Sequence, residues 1–224
     1  TLFPYTTLFR SWSFSQLKDA ALTTLQIQRK AMQHGMSLKD SSAFNIQFIS
    51  ARPVLIDTLS FEPYREGEPW VAYRQFCQHF LAPLALMSRC DIRLQQLWRA
   101  NIDGIPLDLA SRLLPLRSWF NFSLLTHLHL HAGSQRYFAD KSGSSAPSAK
   151  VSRNALLGII DSLESGIHGL KYLASGTEWG DYYANTNYSD ASTEHKKNCS
   201  INFSLKLEHS GMSGILEPDR KSVV

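Results

Sequence analysis

The stretch His34–Glu62, HGMSLKDSSAFNIQFISARPVLIDTLSFE, decides how the chain is read. Ser37–Phe44 has loop composition. Asn45 then opens a short alternating strand, Ile46–Ile49, and Ser50-Ala51-Arg52-Pro53 turns the chain. Val54-Leu55-Ile56 is the apolar, β-branched run expected of a buried strand, and Asp57 ends it. A hairpin of this kind predicts that Asn45 and Asp57 meet at one edge, with the Asp40 loop beside them. Phosphoryl transfer needs such a set: a carboxylate to orient the attacking hydroxyl, and oxygen ligands to hold Mg²⁺ on the phosphates. The same side chains could instead cap turns and bond backbone.

Helical signals surround the stretch. Leu17, Ala21, Leu22, Leu25, Ala31 and Met32 follow the helical period after a Ser15 cap, and Gly35 suits the C′ position. This predicts a helix over 16–33. Trp70–Cys90 has a broad apolar face, and Pro83 should kink or divide it. Leu94–Ala100 and Leu107–Leu114 are short helices on either side of the turn Asn101-Ile-Asp-Gly-Ile-Pro106. A helix is expected over Trp119–Asp140, carrying His127, His129 and His131. Only His127 and His131 share a helical face, with no third ligand nearby, so this trio reads as core or surface and not as a zinc site. Ser152 caps a last helix over 153–174, ended by Gly176. The aromatic segment Glu178–Asp190 reads as a connector. The fold class is α+β and mainly helical.

Hydrophobic residues make up 43% of the chain and charged residues 19%, as in an ordinary globular protein. Both ends stand apart. Thr1–Ser11 (TLFPYTTLFRS) and Asp219–Val224 (DRKSVV) resemble the translation of a sequencing-library adapter. Without those ends the chain keeps 20 basic and 18 acidic residues, a net charge of +2 that gives no footing for nucleic-acid binding. No apolar run is long enough to span a membrane. Cys77, Cys90 and Cys199 are too few and too scattered for a disulfide framework, which points to a reducing, cytoplasmic setting.

Asp40-x4-Asn45 followed by Asp57 resembles the catalytic loop and second metal-binding Asp of protein kinases and antibiotic kinases. The resemblance implies an incomplete kinase-like C-terminal lobe with a short β-hairpin and a helical extension. It implies Asp40 as base or hydroxyl orienter, Asn45 and Asp57 as Mg²⁺ ligands, and ATP as phosphoryl donor. The chain departs from that pattern in several places. Leu38 stands where those families carry His or Tyr, Lys39 precedes Asp40, and Thr58-Leu59 follows Asp57.

A longer resemblance runs through WSFSQLKDAALTTLQIQRKAMQHGMSLKD (12–40), NIQFISARPVLIDTLSFEP (45–63) and GEPWVAYRQFCQHFLAPL (67–84). It continues at Asn101–Pro106, Leu125-Thr126-His127 and Glu178–Asp190. The pattern is similar to a bacterial family of class I SAM-dependent methyltransferases, and it covers the region upstream of the methyltransferase domain. The resemblance implies that a strand and a D-x-G-C-x-x-G loop for SAM follow soon after residue 198. Gly211-Met-Ser-Gly214 is no substitute, and a reading-frame change over 199–218 would account for the departure. The expected organisation is therefore a kinase-like helical domain over 12–140, a linker at 141–151, and a helical connector over 152–198 toward a downstream methyltransferase domain. Three functions stay open: the accessory region of a methyltransferase, a Mg-dependent phosphotransferase module, and a silent scaffold that presents a substrate.

Overall fold

A computed structural model describes residues 12–49, 51–131 and 150–172, and within 192–199 residues 192, 194, 195 and 197–199. The adapter-like ends, the stretch 141–149, the segment 178–190 and residues 200–218 lie outside the described residues. By their contacts the residues form two units. One is Thr1–Gln47 with Pro53–Tyr172, and the other is Phe48–Arg52 with Leu173–Val224. The architecture is mainly helical, with two small two-stranded antiparallel pairs. No helix among the described residues is long and apolar enough to cross a membrane.

Helix α1 (Phe14–Gln33) starts earlier than the periodicity predicts, because Ser13 and not Ser15 is the N-cap. Ser13 Oγ accepts from the Gln16 N–H, and Gln16 Oε1 accepts from the Ser13 N–H. This reciprocal capping box satisfies two otherwise orphaned donors and contributes about 1 kcal/mol. The helix stops at Gly35, whose φ of +71° suits a C′ residue. Its buried face carries Phe14, Leu17, Ala21, Leu25 and Met32. Each fully buried Leu there contributes roughly 2 kcal/mol.

Strand β1 (Met36–Leu38) follows at once, where sequence reading expected a loop, and pairs antiparallel with the distant β4 (Phe61–Pro63). At Leu38 the outward edge of β1 is met by side chains. The Leu38 N–H donates to Gln28 Oε1 (2.7 Å), and the Leu38 carbonyl accepts from Trp70 Nε1 (2.9 Å). Strand β2 (Ile46–Ile49) pairs with β3 (Arg52–Leu55) as the expected hairpin. The expected burial of its second arm is not found: Val54 is 38% and Ile56 51% exposed. β-branched residues suit any pleated surface, so an apolar run of three cannot tell a buried strand from an exposed arm.

The core runs through the segment after Trp70. It comprises α2 (Tyr73–Phe76), a π-helical turn (Cys77–Leu81) and α3 (Ala82–Arg89). Phe76, Phe80, Leu81, Leu84 and Leu86 are fully buried. The division expected at Pro83 takes a specific form. The Ala82 N–H bonds Cys77 O, five residues back. The next such bond would need an N–H at Pro83, which has none. The Gln78 carbonyl is thereby orphaned, and the Ile105 N–H fills it at 3.0 Å. Gly104 lies against the same carbonyl with φ +85°, where an added Cβ would sit 2.7 Å from Gln78 C. This contact fastens the turn between α4 (Gln95–Ala100) and α5 (Leu107–Leu113) onto the π turn.

After α5, a 3₁₀ turn (Leu116–Phe120), a short α6 (Phe122–Leu124) and a second π-helical turn (Leu125–Leu130) replace the uniform helix expected from Trp119. Helix α7 (Arg153–His168) has the predicted Ser152 cap but ends eight residues before Gly176. Gly169 and Leu170 close it, donating back to Ser165 and Ile167. Its face of Leu156, Ile160, Leu163 and Ile167 is buried as expected. Helix α7 packs on α1, where Arg29 pairs with Asp161 and Glu164, and Lys18 Nζ donates to His168 O and Leu170 O.

Candidate functional site

The sequence-predicted residues occupy the loops that link the two strand pairs. The β1–β4 ladder extends one step further, with the Lys39 N–H bonding Ser60 O (2.8 Å), so Asp40 and Ser60 flank the same end. At the open end of the β2–β3 hairpin the Ile56 N–H bonds Asn45 O (2.9 Å). Asn45 and Asp57 then meet through a shared hydroxyl. Asn45 Nδ2 donates to Ser60 Oγ (2.9 Å), and Ser60 Oγ donates to Asp57 Oδ2 (2.7 Å). Asp57 Oδ1 also caps the following turn by accepting from the Leu59 N–H (2.8 Å). The Ser60 hydroxyl and then the Leu59 N–H hold the Asp57 carboxyl below its usual range. Asp40 acts one turn away: its Oδ1 accepts from the Ser42 N–H (2.8 Å).

Asp40 also lines a cavity of about 460 Å³. Its floor is the first π turn. His79 is only 2% exposed, and its Nδ1 accepts from the Ala43 N–H at 3.4 Å. Ser41 is fastened to the same helix, its N–H bonding Gln75 Oε1 (2.8 Å) and its hydroxyl bonding Ala72 O (2.8 Å). Asp103 completes the wall, carried there by the Gly104–Gln78 contact. Burial pushes the His79 imidazolium down to about 4, against the opposing pull of Asp40 and Asp103. The sequence marks Asn101–Pro106 as a turn and as part of the family pattern, and nothing in it singles out His79, Gln75 or Gln78 as site residues. The available signal was Pro83, five residues after Gln78, which removes the donor that a π turn would offer to the Gln78 carbonyl.

The histidines of the second π turn are arranged differently. His127 Nδ1 shares a hydrogen bond with the Tyr73 hydroxyl (2.7 Å), and its Nε2 shares one with Ser162 Oγ (2.9 Å). His129 is held between Ser111 Oγ and Ser118 Oγ, each at 2.8 Å, and stacks on Trp119. His127 and His131 both lie edge-on to Tyr73, so they share a face as the spacing predicts. Both ring nitrogens of His127 and of His129 are thus engaged by the protein itself. Cys77 is fully buried, and burial pushes its thiol up to about 12, far from a reactive thiolate.

No group of three or more His, Cys, Asp or Glu side chains among the described residues is placed to hold a metal ion. Mg²⁺ between Asn45 and Asp57 would compete with the Ser60 and Leu59 donors that both Asp57 oxygens already accept. The chain's sequence contains no glycine-rich SAM loop.

No family model matches the chain. No solved structure matches it either. The chain is similar to nodulation protein NoeA of Rhizobium meliloti (strain 1021), with 36% identity over 182 residues. That alignment covers 80% of this chain and 38% of the relative, so the chain spans well under half the length of the protein it matches.

Proposed function

We propose that this chain is a catalytically silent, substrate-presenting module that works beside the SAM-binding domain of a bacterial, cytoplasmic methyltransferase. The carrying observation is the use made of the three kinase-like side chains. Asp40 caps its own turn, Asp57 caps the turn after it, and the Asn45 amide is spent on Ser60. Groups committed to local donors are poor candidates for transferring a phosphoryl group, while the same bonds make a rigid ledge. The long resemblance to an upstream methyltransferase region and the 38% coverage of the nodulation protein fit a module within a larger enzyme. SAM would then bind outside this chain, and the methyl acceptor would be held by it.

Titration calorimetry of the chain with ATP, with and without Mg²⁺, tests the silent half of the reading. No binding heat is expected in either case. The phosphotransferase reading keeps one supporting observation, the meeting of Asn45 and Asp57 through Ser60 at the open end of the β2–β3 hairpin. Mg²⁺-dependent ATP binding that disappears in Asp57→Ala would establish it in place of the scaffold. For the methyltransferase half, a longer homologue such as the nodulation protein should bind SAM by calorimetry, whereas this chain should not.

A further inference from the structure

The cavity above the first π turn presents groups that the turn-capping roles do not use. Its deepest polar side chain, His79, is 2% exposed. The Ala43 N–H donates to Nδ1, which assigns the neutral tautomer with its proton on Nε2. That Nε2–H has no hydrogen-bond partner among the described residues, and His79 lines the cavity. A donor left open toward a cavity is available to a ligand acceptor or to water. Around it, Asp40 keeps Oδ2 beyond its cap, and Asp103 adds a second carboxylate. Gln75 keeps its Nε2 donors after giving Oε1 to Ser41, and Lys39 adds one ammonium. Phe44, Val71 and Ile102 supply the apolar part of the wall.

We propose that this cavity binds a neutral polyhydroxylated ligand, a sugar or a close relative, with hydroxyls reaching Asp40, Asp103 and His79 and a C–H face against Phe44, Val71 and Ile102. The assignment follows from the mixture of groups. Carboxylates only accept, the ammonium and the Nε2–H only donate, and a hydroxyl does both. An anion meets two carboxylates against a single lysine. A cation finds the two carboxylates but leaves the Nε2–H without an acceptor and meets the Lys39 ammonium. The volume of about 460 Å³ lies within the roughly 300–1,000 Å³ typical of small-ligand pockets. This proposal rests on the substrate-presenting reading and gives the substrate its chemical class.

The test is saturation-transfer NMR on the full chain. Glucose, galactose, mannose and cellobiose are the neutral probes, with glucosamine as the cationic and glucose 6-phosphate as the anionic probe. At least one neutral sugar should receive saturation. Asp103→Ala should weaken that sugar about tenfold, the usual effect of losing a hydrogen bond to a charged group. Val71→Trp, at a position 62% exposed on the cavity wall, should abolish binding by filling the mouth. Both side chains are exposed, and circular dichroism checks that the fold is retained. The proposal is overturned if no neutral sugar is saturated, if only a charged probe is, or if both variants bind as the parent does. Sugar binding accompanied by Mg²⁺-dependent ATP binding would overturn the scaffold reading and leave the cavity assignment standing. Absence of both would do the reverse.

Discussion

The two π-helical turns bury histidines in opposite ways. In Leu125–Leu130, His127 and His129 each spend both ring nitrogens on neighbouring hydroxyls, so the turn is closed polar architecture. In Cys77–Leu81, His79 spends only Nδ1, and its other nitrogen belongs to a cavity wall. The turns also dispose of their backbone differently. Pro83 strips the first turn of a donor, and a distant turn docks onto the carbonyl that results. Burial alone therefore does not mark a functional histidine. What separates the two cases is the number of nitrogens the protein itself satisfies.

The largest effect that can break this comparison comes from the docked turn. Gly104→Ala puts a methyl group on the Gln78 backbone at a positive φ, and should cost about 3 kcal/mol or more in urea unfolding. If it is neutral, the Gln78–Ile105 bond is not what holds Asp103 at the cavity. Next comes the closed turn: His127→Leu strands the Tyr73 and Ser162 hydroxyls and should cost roughly 2–3 kcal/mol. His79→Leu strands only the Ala43 N–H, and a loss of about 1 kcal/mol is expected in the same assay. Equal losses in the two variants would erase the distinction drawn between the turns.

Much of the fold was legible in the sequence, and the failures have physical causes. Helical periodicity, the Gly35 stop and the apolar face of α7 are local signals, and all three hold. Strand β1 was missed because its partner β4 lies more than twenty residues away and three residues carry no period. The exposed arm of the hairpin was misread because Val and Ile fit either setting. At the candidate site, Asp40, Asn45 and Asp57 were visible as a spacing, and the structure brings Asn45 and Asp57 together through Ser60. His79 and Asp103 were not visible, because their proximity depends on a carbonyl orphaned at one place and filled from another.

The smallest expected effect is on acid stability. Burial lowers the His79 and His127 imidazolium to about 4, below the value of about 6.5 in an unfolded chain. The unfolded state then binds more protons between those values, so stability is full above about 6.5 and falls as pH drops toward 4. Melting temperature should decline across that window, and His127→Gln should make the decline shallower by removing one of the two groups that take up a proton on unfolding. An unchanged profile would mean that His127 is protonated in the folded protein.

The outward edge of β1 carries one further consequence. A two-stranded ribbon with an open edge offers a template to any other chain with free strand-forming groups. Here the Leu38 amide and carbonyl are already occupied by a glutamine from α1 and an indole from Trp70. Two buried side chains thus stand where a third strand would, and they satisfy the edge from within the core. Gln28→Ala leaves the buried Leu38 N–H without its acceptor and should cost about 1–3 kcal/mol in urea unfolding.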